Sequence, residues 1–205
     1  MPAPPAPKGA PVSPDPPRYP RELERDVAGE GLRYHLRPIR PDDGPRLVEL
    51  HGRLSRRSVY LRFFGPHPTL SDAEVKRFTE VDYEGRFALV ATIGDDLIAV
   101  ARYDRTPGTS EAEVAFVVDD KYQHHGLGSG LLDELADAAL ARGVTTFTAE
   151  TLAENRTMLD VFHNAGFPVQ SGIEYGTVTL RFPIASTAAS IAARAARRQW
   201  TGAAE

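Results

Sequence analysis

Apolar and polar positions change period several times along this chain, and each change marks an element. In "LRYHLRPIRPDD", Tyr34, Leu36 and Ile39 mark a first strand that stops at Pro41. Asp42 or Asp43 then caps a helix through "GPRLVELHGRL". "SRRSVYLRFFG" gathers Val59, Leu61, Phe63 and Phe64 into a second helical or turn-like segment ending at Gly65. "SDAE" at 71–74 is a capping box, with Ser71 at the cap and Glu74 reaching back; it opens a short helix through Phe78. The period then becomes that of strands. "RFALVATIG" and "DLIAVARYD" are apolar runs parted by Gly94-Asp95-Asp96, a hairpin signal. The turn "PGTS" leads to the strand "EAEVAFVV". From Gly130, the residues Leu131, Leu132, Leu135, Ala136, Ala139 and Leu140 share one helical face, with Asp133, Glu134 and Asp137 opposite and Gly143 as C-cap. "VTTFTAETL" reads as a strand. "ENRTMLDVFHNAGF" is a helix with Met158, Phe162 and Ala165 inward and Gly166 as stop, and "YGTVTLRFP" is a final strand. This order predicts an α/β fold in which an antiparallel meander feeds one crossover helix.

The ends lack such periods. Nine of the 17 prolines fall within residues 1–20. Residues 1–30 therefore read as a Pro-rich disordered tail, which cannot bury enough apolar surface to offset its ordering entropy. Residues 31–185 form the predicted domain. Residues 186–205 form a basic tail of weak amphipathicity, expected to fray rather than dock.

Composition narrows the function classes. At 205 residues, 41 % hydrophobic and 25 % charged, the chain suits one globular domain with tails. A net charge of −4 argues against nucleic-acid binding, which needs a basic face. With no cysteine, thiolate nucleophiles, disulfides and cysteine metal sites are excluded. No apolar run reaches membrane-spanning length and no signal-peptide core is present, so a cytoplasmic protein with no membrane partner is expected.

The chemistry concentrates in "EAEVAFVVDDKYQHHGLGSG" at 111–130. Gly126, Gly128 and Gly130 alternate where a strand turns into a helix, and backbone N–H groups at such a start lack intrahelical partners. With the helix dipole they favour an anion, so a phosphate can be held without lysine or arginine between Gln123 and Gly130. The spacing fits neither a P-loop, which needs a lysine, nor a Rossmann G-x-G-x-x-G. A tight strand-to-helix turn alone would account for it equally well.

The surroundings decide between these. "QHHGLG" at 123–128 resembles Q/R-x-x-G-x-G/A, the pyrophosphate loop of the GNAT superfamily of N-acetyltransferases. Asn155 opening a helix that ends at Gly166-Phe167 resembles the second hallmark of that superfamily, and the order of elements over roughly 32–183 fits. "RRSVYLRFFG", "LSDAEVKRFTEVDYEGRFALVA" and "EVAFVVDDKYQHHGLG" are similar to the acetyltransferase domain of bacterial Pat-type protein lysine acetyltransferases. The resemblance implies a GNAT fold, with a mixed and largely antiparallel central sheet flanked by helices. It implies acetyl-CoA as co-substrate and a protein lysine as acceptor, in that family a lysine of acyl-CoA synthetases. Such proteins usually carry a large regulatory or synthetase-like domain, which this chain does not show.

Residue by residue, the resemblance implies that Glu113 is the general base. It also implies that Phe116, Val117 and Val118 offer backbone hydrogen bonds to pantetheine. Gln123, His124, His125, Gly126, Leu127, Gly128, Ser129 and Gly130 would hold the pyrophosphate, and Asn155 would steady the pantetheine arm; as an N-cap-region residue Asn155 has an equally good structural role. An independent argument supports Glu113: alternation puts it on one face with Ala115 and Val117, and a carboxylate among apolar neighbours is expected to titrate high. A base is needed, because only about one lysine in two thousand is neutral at pH 7. The family's tyrosine acid falls at Phe162, which cannot donate a proton. His124 and His125 are adjacent, point apart and read as polar loop residues; no metal is expected. Arg56, Arg57 and Arg62 could meet a 3′-phosphate or an acidic target, but read better as a solvated helix face. Two rivals stand beside protein acetylation: transfer to a small amine, and an acetyl-CoA-sensing module without turnover.

Overall fold

The computed structural model describes residues 19–29 and 32–200. Eight strands form one sheet: β1 (Arg25–Gly29), β2 (Leu32–Pro38), β3 (Arg86–Ile93), β4 (Asp96–Arg105), β5 (Glu111–Val118), β6 (Thr146–Leu152), β7 (Gln170–Glu174) and β8 (Thr177–Pro183). Their spatial order is β1-β2-β3-β4-β5-β6-β8-β7, and every pairing is antiparallel except β5 with β6. Six helices cover the sheet: α1 (Gly44–Arg53), α2 (Arg56–Phe63), α3 (Asp72–Thr79), α4 (Leu127–Leu140), α5 (Arg156–His163) and α6 (Ala188–Trp200). The expected α/β fold, with a largely antiparallel sheet flanked by helices, is the one observed.

Each face of the sheet has its own core. The larger is built from β-strand residues such as Leu89, Ala101, Val114 and Phe116, with Leu131, Leu135 and Ala139 of α4 and Phe162 of α5. The smaller joins Leu47 and Leu50 of α1 to Ala88, Val90 and Val100 on the opposite face. Strand alternation therefore sends even-numbered β5 residues to one core and Glu113, Ala115 and Val117 toward the other side. The β2–α1 corner is fixed by a buried ion pair. Asp43 accepts two hydrogen bonds from Arg37, each 2.6 Å, and one from the Arg40 N–H at 2.8 Å. The Ser71–Glu74 capping box forms as expected.

Three elements lie where the hydrophobic pattern gave no signal. Residues 21–29, within the expected tail, form a 3-10 turn and β1, which pairs with β2 from Arg25↔Leu36 to Gly29↔Leu32. β7 is exposed at every position. Both are edge strands held by backbone pairing, so neither carries the buried alternation that reveals a strand. The third is α6, in the segment expected to fray. Ser190 is buried, and Arg194 donates to both Asp137 oxygens at 2.7 and 2.8 Å and lies 3.3 Å from Asp133. The carboxylates expected to face solvent on α4 are thus its docking points, and Glu134 pairs with Arg25 of β1. Residues 1–18 lie outside the described ones.

Candidate functional site

The site begins with a strand that loses one partner. β5 pairs with β4 along its whole length, from Ala99↔Val118 to Arg105↔Ala112. It pairs with β6 only over Glu111, Ala112 and Glu113. β6 instead follows β8 from Thr146↔Pro183 to Leu152↔Thr177, so a gap opens beside β5 from Val114 onward. The Asp119 N–H bonds the Ile98 carbonyl of β4 at 2.9 Å. By the two-residue alternation, the peptide groups of Phe116 and Val118 then point into the gap. Those of Val117 point to β4, so this residue offers the gap its side chain rather than the expected backbone bond. The Val118 carbonyl is occupied by Gln123 Nε2 at 3.1 Å, which also reaches Ser58 Oγ at 3.4 Å.

The loop after β5 is tied down by two aspartates. Asp119 is buried; it accepts the Lys121 N–H at 3.1 Å and Arg53 Nε at 2.9 Å. Asp120 accepts from Ser55 N at 2.9 Å, Ser55 Oγ at 2.8 Å and Ser58 Oγ at 2.7 Å, and so fastens the start of α2 to the loop. Partial burial works against its charge, but these hydrogen bonds win and hold the Asp120 carboxyl below the usual range. Sequence reading missed this tether, because its partners come from segments far apart in the chain.

Gly126, at φ +67°, turns the chain into α4, one turn earlier than the hydrophobic period indicated. The Gly130 N–H is the first to close a helical bond, to the Gly126 carbonyl at 2.9 Å. The amides of Leu127, Gly128 and Ser129 have no partner within the helix, as at any helix start. Leu127 sinks its side chain into the core as an anchor. A cleft of about 970 Å³ runs from this turn along the β5 gap. Its lining includes His124, Gly126, Leu127, Gly128 and Ser129, together with Phe116, Val117, Val118, Gln123, Asn155 and Glu113. His125 and Gly130 do not line it.

Glu113 stands at the other end of the gap. It shares a face with Ala115 and Val117 as expected, but it is exposed rather than enclosed by them. The apolar enclosure expected from the strand pattern is not there: Glu113 lines the open cleft. Asn155 lines the cleft and also caps α5, its Oδ1 accepting the Met158 N–H at 3.2 Å. Phe162 is a core aromatic, edge-on to Phe116 at 5.9 Å, and brings no hydroxyl to the site. Arg56 and Arg57 are exposed, and Arg57 bridges to Glu154 at 3.5 Å. Arg62 departs from the solvated helix face expected of it. Burial and the neighbouring Arg102 push its guanidinium down to about 10, against the pull of Glu113 and Asp104. It stays cationic at neutral pH.

A gap that bares β5 peptides, running into a helix start with bare amides, fits an extended ligand with a phosphate-bearing end. The acetyltransferase (GNAT) family model matches residues 55–167, which contain the gap, the loop and α5. The chain belongs to the GNAT family. It is 36 % identical over 137 residues to the acetyltransferase Pat of Mycolicibacterium smegmatis, covering 65 % of this chain and 40 % of that protein. Acetyltransferase PA5475 of Pseudomonas aeruginosa is 29 % identical over 142 residues, 67 % of this chain and 76 % of its own length. Among solved structures, the GNAT domain of S. lividans PAT is 42 % identical, with a TM-score of 0.77 over 81 % of this chain and 99 % of that one. The protein is an acetyl-CoA-dependent N-acetyltransferase of GNAT fold related to Pat. Among the described residues, no helix is long and apolar enough to cross a membrane.

Proposed function

We propose that this protein transfers the acetyl group of acetyl-CoA to a lysine side chain of a protein acceptor, an acyl-CoA synthetase. The observation that carries the reading is the juxtaposition of Glu113 with the gap beside β5: an exposed carboxylate on β5 itself lines the cleft where an acyl thioester would lie. The likeness to Pat supports the acceptor class.

In this reading Leu127, Gly128 and Ser129 amides, at the positive end of α4, hold the diphosphate. The peptide groups of Phe116 and the N–H of Val118 hold the pantetheine arm, and Gln123, bonded to the Val118 carbonyl, fixes the strand end that presents them. Asn155 and the capped start of α5 form the opposite wall. His124, Val117 and Leu127 shape the lining. Acetyl-CoA supplies the activated acyl group. Glu113 takes the proton from the lysine ammonium through a water, since its carboxylate is exposed, and the neutral amine attacks directly. Arg62 adds positive potential beside Glu113, which eases ammonium deprotonation. Phe162 leaves the thiolate to be protonated by solvent.

The test is incubation with labelled acetyl-CoA and a panel of acyl-CoA synthetases, read by mass spectrometry. Acetyl-lysine on a synthetase is the expected result. Label on free polyamines or amino acids but on no folded protein would replace the reading with small-amine transfer. Tight acetyl-CoA binding with no transfer to either class would leave a sensor module.

A further inference from the structure

On the α1–α3 side of the sheet, a second cavity of about 50 Å³ lies against Ala115, Phe116 and Val117 of β5. Those three residues also line the main cleft, so the two spaces meet on the stretch of strand where the thioester would run. Leu50, Phe63, Leu70 and Phe78 give the small cavity apolar walls. Arg62 and Arg102 break that pattern. Arg62 lies over the Phe63 ring at 5.1 Å and Arg102 over Phe78 at 4.4 Å.

Among the described residues, neither guanidinium has a hydrogen-bonded acceptor, and Arg102 has only a long ion pair. Arg102 comes no closer than 3.8 Å to Asp104, beyond hydrogen-bond reach, and its Nε is buried without a partner. Asp104 is engaged by Arg77 at 3.2 Å. Among the described residues Arg62 makes no ion pair or hydrogen bond, and Glu113 acts on both arginines only through space. Two half-desolvated cations side by side, short of acceptors, are costly to keep unless something arrives to satisfy them. A carboxylate matches the guanidinium fork better than any neutral group.

We propose that this cavity receives the far end of an acyl group that terminates in a carboxylate, of the succinyl class, and so gives the protein a second acyl donor. The proposal rests on reading the cleft as the acyl-CoA site. Size agrees with it. At roughly 10–15 Å³ per water-sized group, the cavity holds about four such groups. Succinyl extends beyond acetyl by a methylene, a carbon and two oxygens. Acetyl is too short to fill the cavity, and an aliphatic chain of four carbons enters it but gives neither guanidinium an acceptor. In the transfer, the acceptor nitrogen bonds to the thioester carbon and the carbon–sulfur bond breaks. The amine proton leaves through Glu113 to water, and coenzyme A departs as thiolate, which takes a proton from solvent.

The experiment measures Kd by calorimetry and kcat/KM for acetyl-, butyryl- and succinyl-CoA, with the wild-type protein and with Arg102→Met, a residue outside the cleft lining. Succinyl-CoA should bind and serve as donor within about tenfold of acetyl-CoA. Arg102→Met should weaken succinyl-CoA by about 10- to 100-fold, the worth of hydrogen bonds to a charged group, and leave the other two within about threefold. Arg62→Gln should weaken succinyl-CoA in the same direction. Wild type that does not bind succinyl-CoA overturns the proposal, as does Arg102→Met acting equally on all three donors. Butyryl-CoA preferred over succinyl-CoA by both proteins makes the cavity a purely aliphatic pocket, which also overturns it. The calorimetric arm needs no acceptor, so it decides the pocket even where the protein-lysine reading fails; failure of acetyl-CoA itself to bind sinks the reading of the cleft as the acyl-CoA site, and the proposal with it.

Discussion

At the scale of single residues, Glu113 reaches water while Ala112 and Val114 on either side are buried. Glu113→Gln keeps size and removes the base. We expect kcat at pH 7 to fall about 10²- to 10⁴-fold while the calorimetric Kd for acetyl-CoA stays within about twofold. A change in kcat below about threefold would show that water alone takes the proton. The place of Glu113 was legible, because alternation along one strand is a local rule. Its company was not, because Asp104 lies opposite it on β4 and Arg62, whose charge it feels, comes from α2. Asp43 illustrates the same limit for stability. Burial would raise its carboxyl, but Arg37 and the Arg40 N–H outweigh burial and hold it below the usual range. A carboxyl depressed in the fold stabilises above its unfolded pKa of about 3.9 and loses that contribution as pH falls through the lower folded value. Acid titration of the unfolding free energy should therefore show a loss below about pH 4 that Asp43→Asn lacks. At neutral pH that variant, which leaves Arg37 unpaired in the core, should cost about 3–5 kcal/mol by urea unfolding.

At the scale of elements, two glycines decide where helices begin and dock. Gly126→Ala places a side chain at φ +67°, at a cost of about 1–2 kcal/mol, and tilts the amides at the start of α4. Acetyl-CoA affinity should fall with little loss of fold, which calorimetry beside circular dichroism would separate. Gly166, at φ +81°, faces α6 so closely that a Cβ would lie 2.7 Å from the Ala189 backbone. Gly166→Ala should release α6, seen as faster hydrogen exchange over residues 188–196 with α4 unchanged. Unchanged exchange there would mean that Arg194 alone holds the helix. α4 and the β3–β4 hairpin were readable from period and turn residues. α6 was not: its alanines bury little area each, and its ion pairs depend on carboxylates of another helix.

At the scale of the whole molecule, one sheet separates two cores and parts along one seam, between β5 and β6. A ligand seated in that seam ties together β5, α4 and α5, which line it. It should stabilise the folded state by about 2.7 kcal/mol at 100-fold excess over Kd. For a chain of this size that is a rise in Tm of roughly 5–10 °C, measurable by scanning fluorimetry. Glu113→Gln should keep the rise and Gly126→Ala should shrink it. A rise equal in all three proteins would place acetyl-CoA away from the start of α4.

The sequence by itself determined the fold class, the GNAT loop at Gln123–Gly130, the turn of strand into helix and the strand position of Glu113. All follow from spacing within a few residues, where covalent geometry sets which side chains and amides share a face. Tertiary structure decided the rest: the parting of β5 from β6, the exposure of Glu113, the half-dry guanidiniums of Arg62 and Arg102, and the docking of β1, β7 and α6. Those depend on groups distant in the chain competing for the same water, acceptors and backbone partners, and no local pattern records the outcome of that competition.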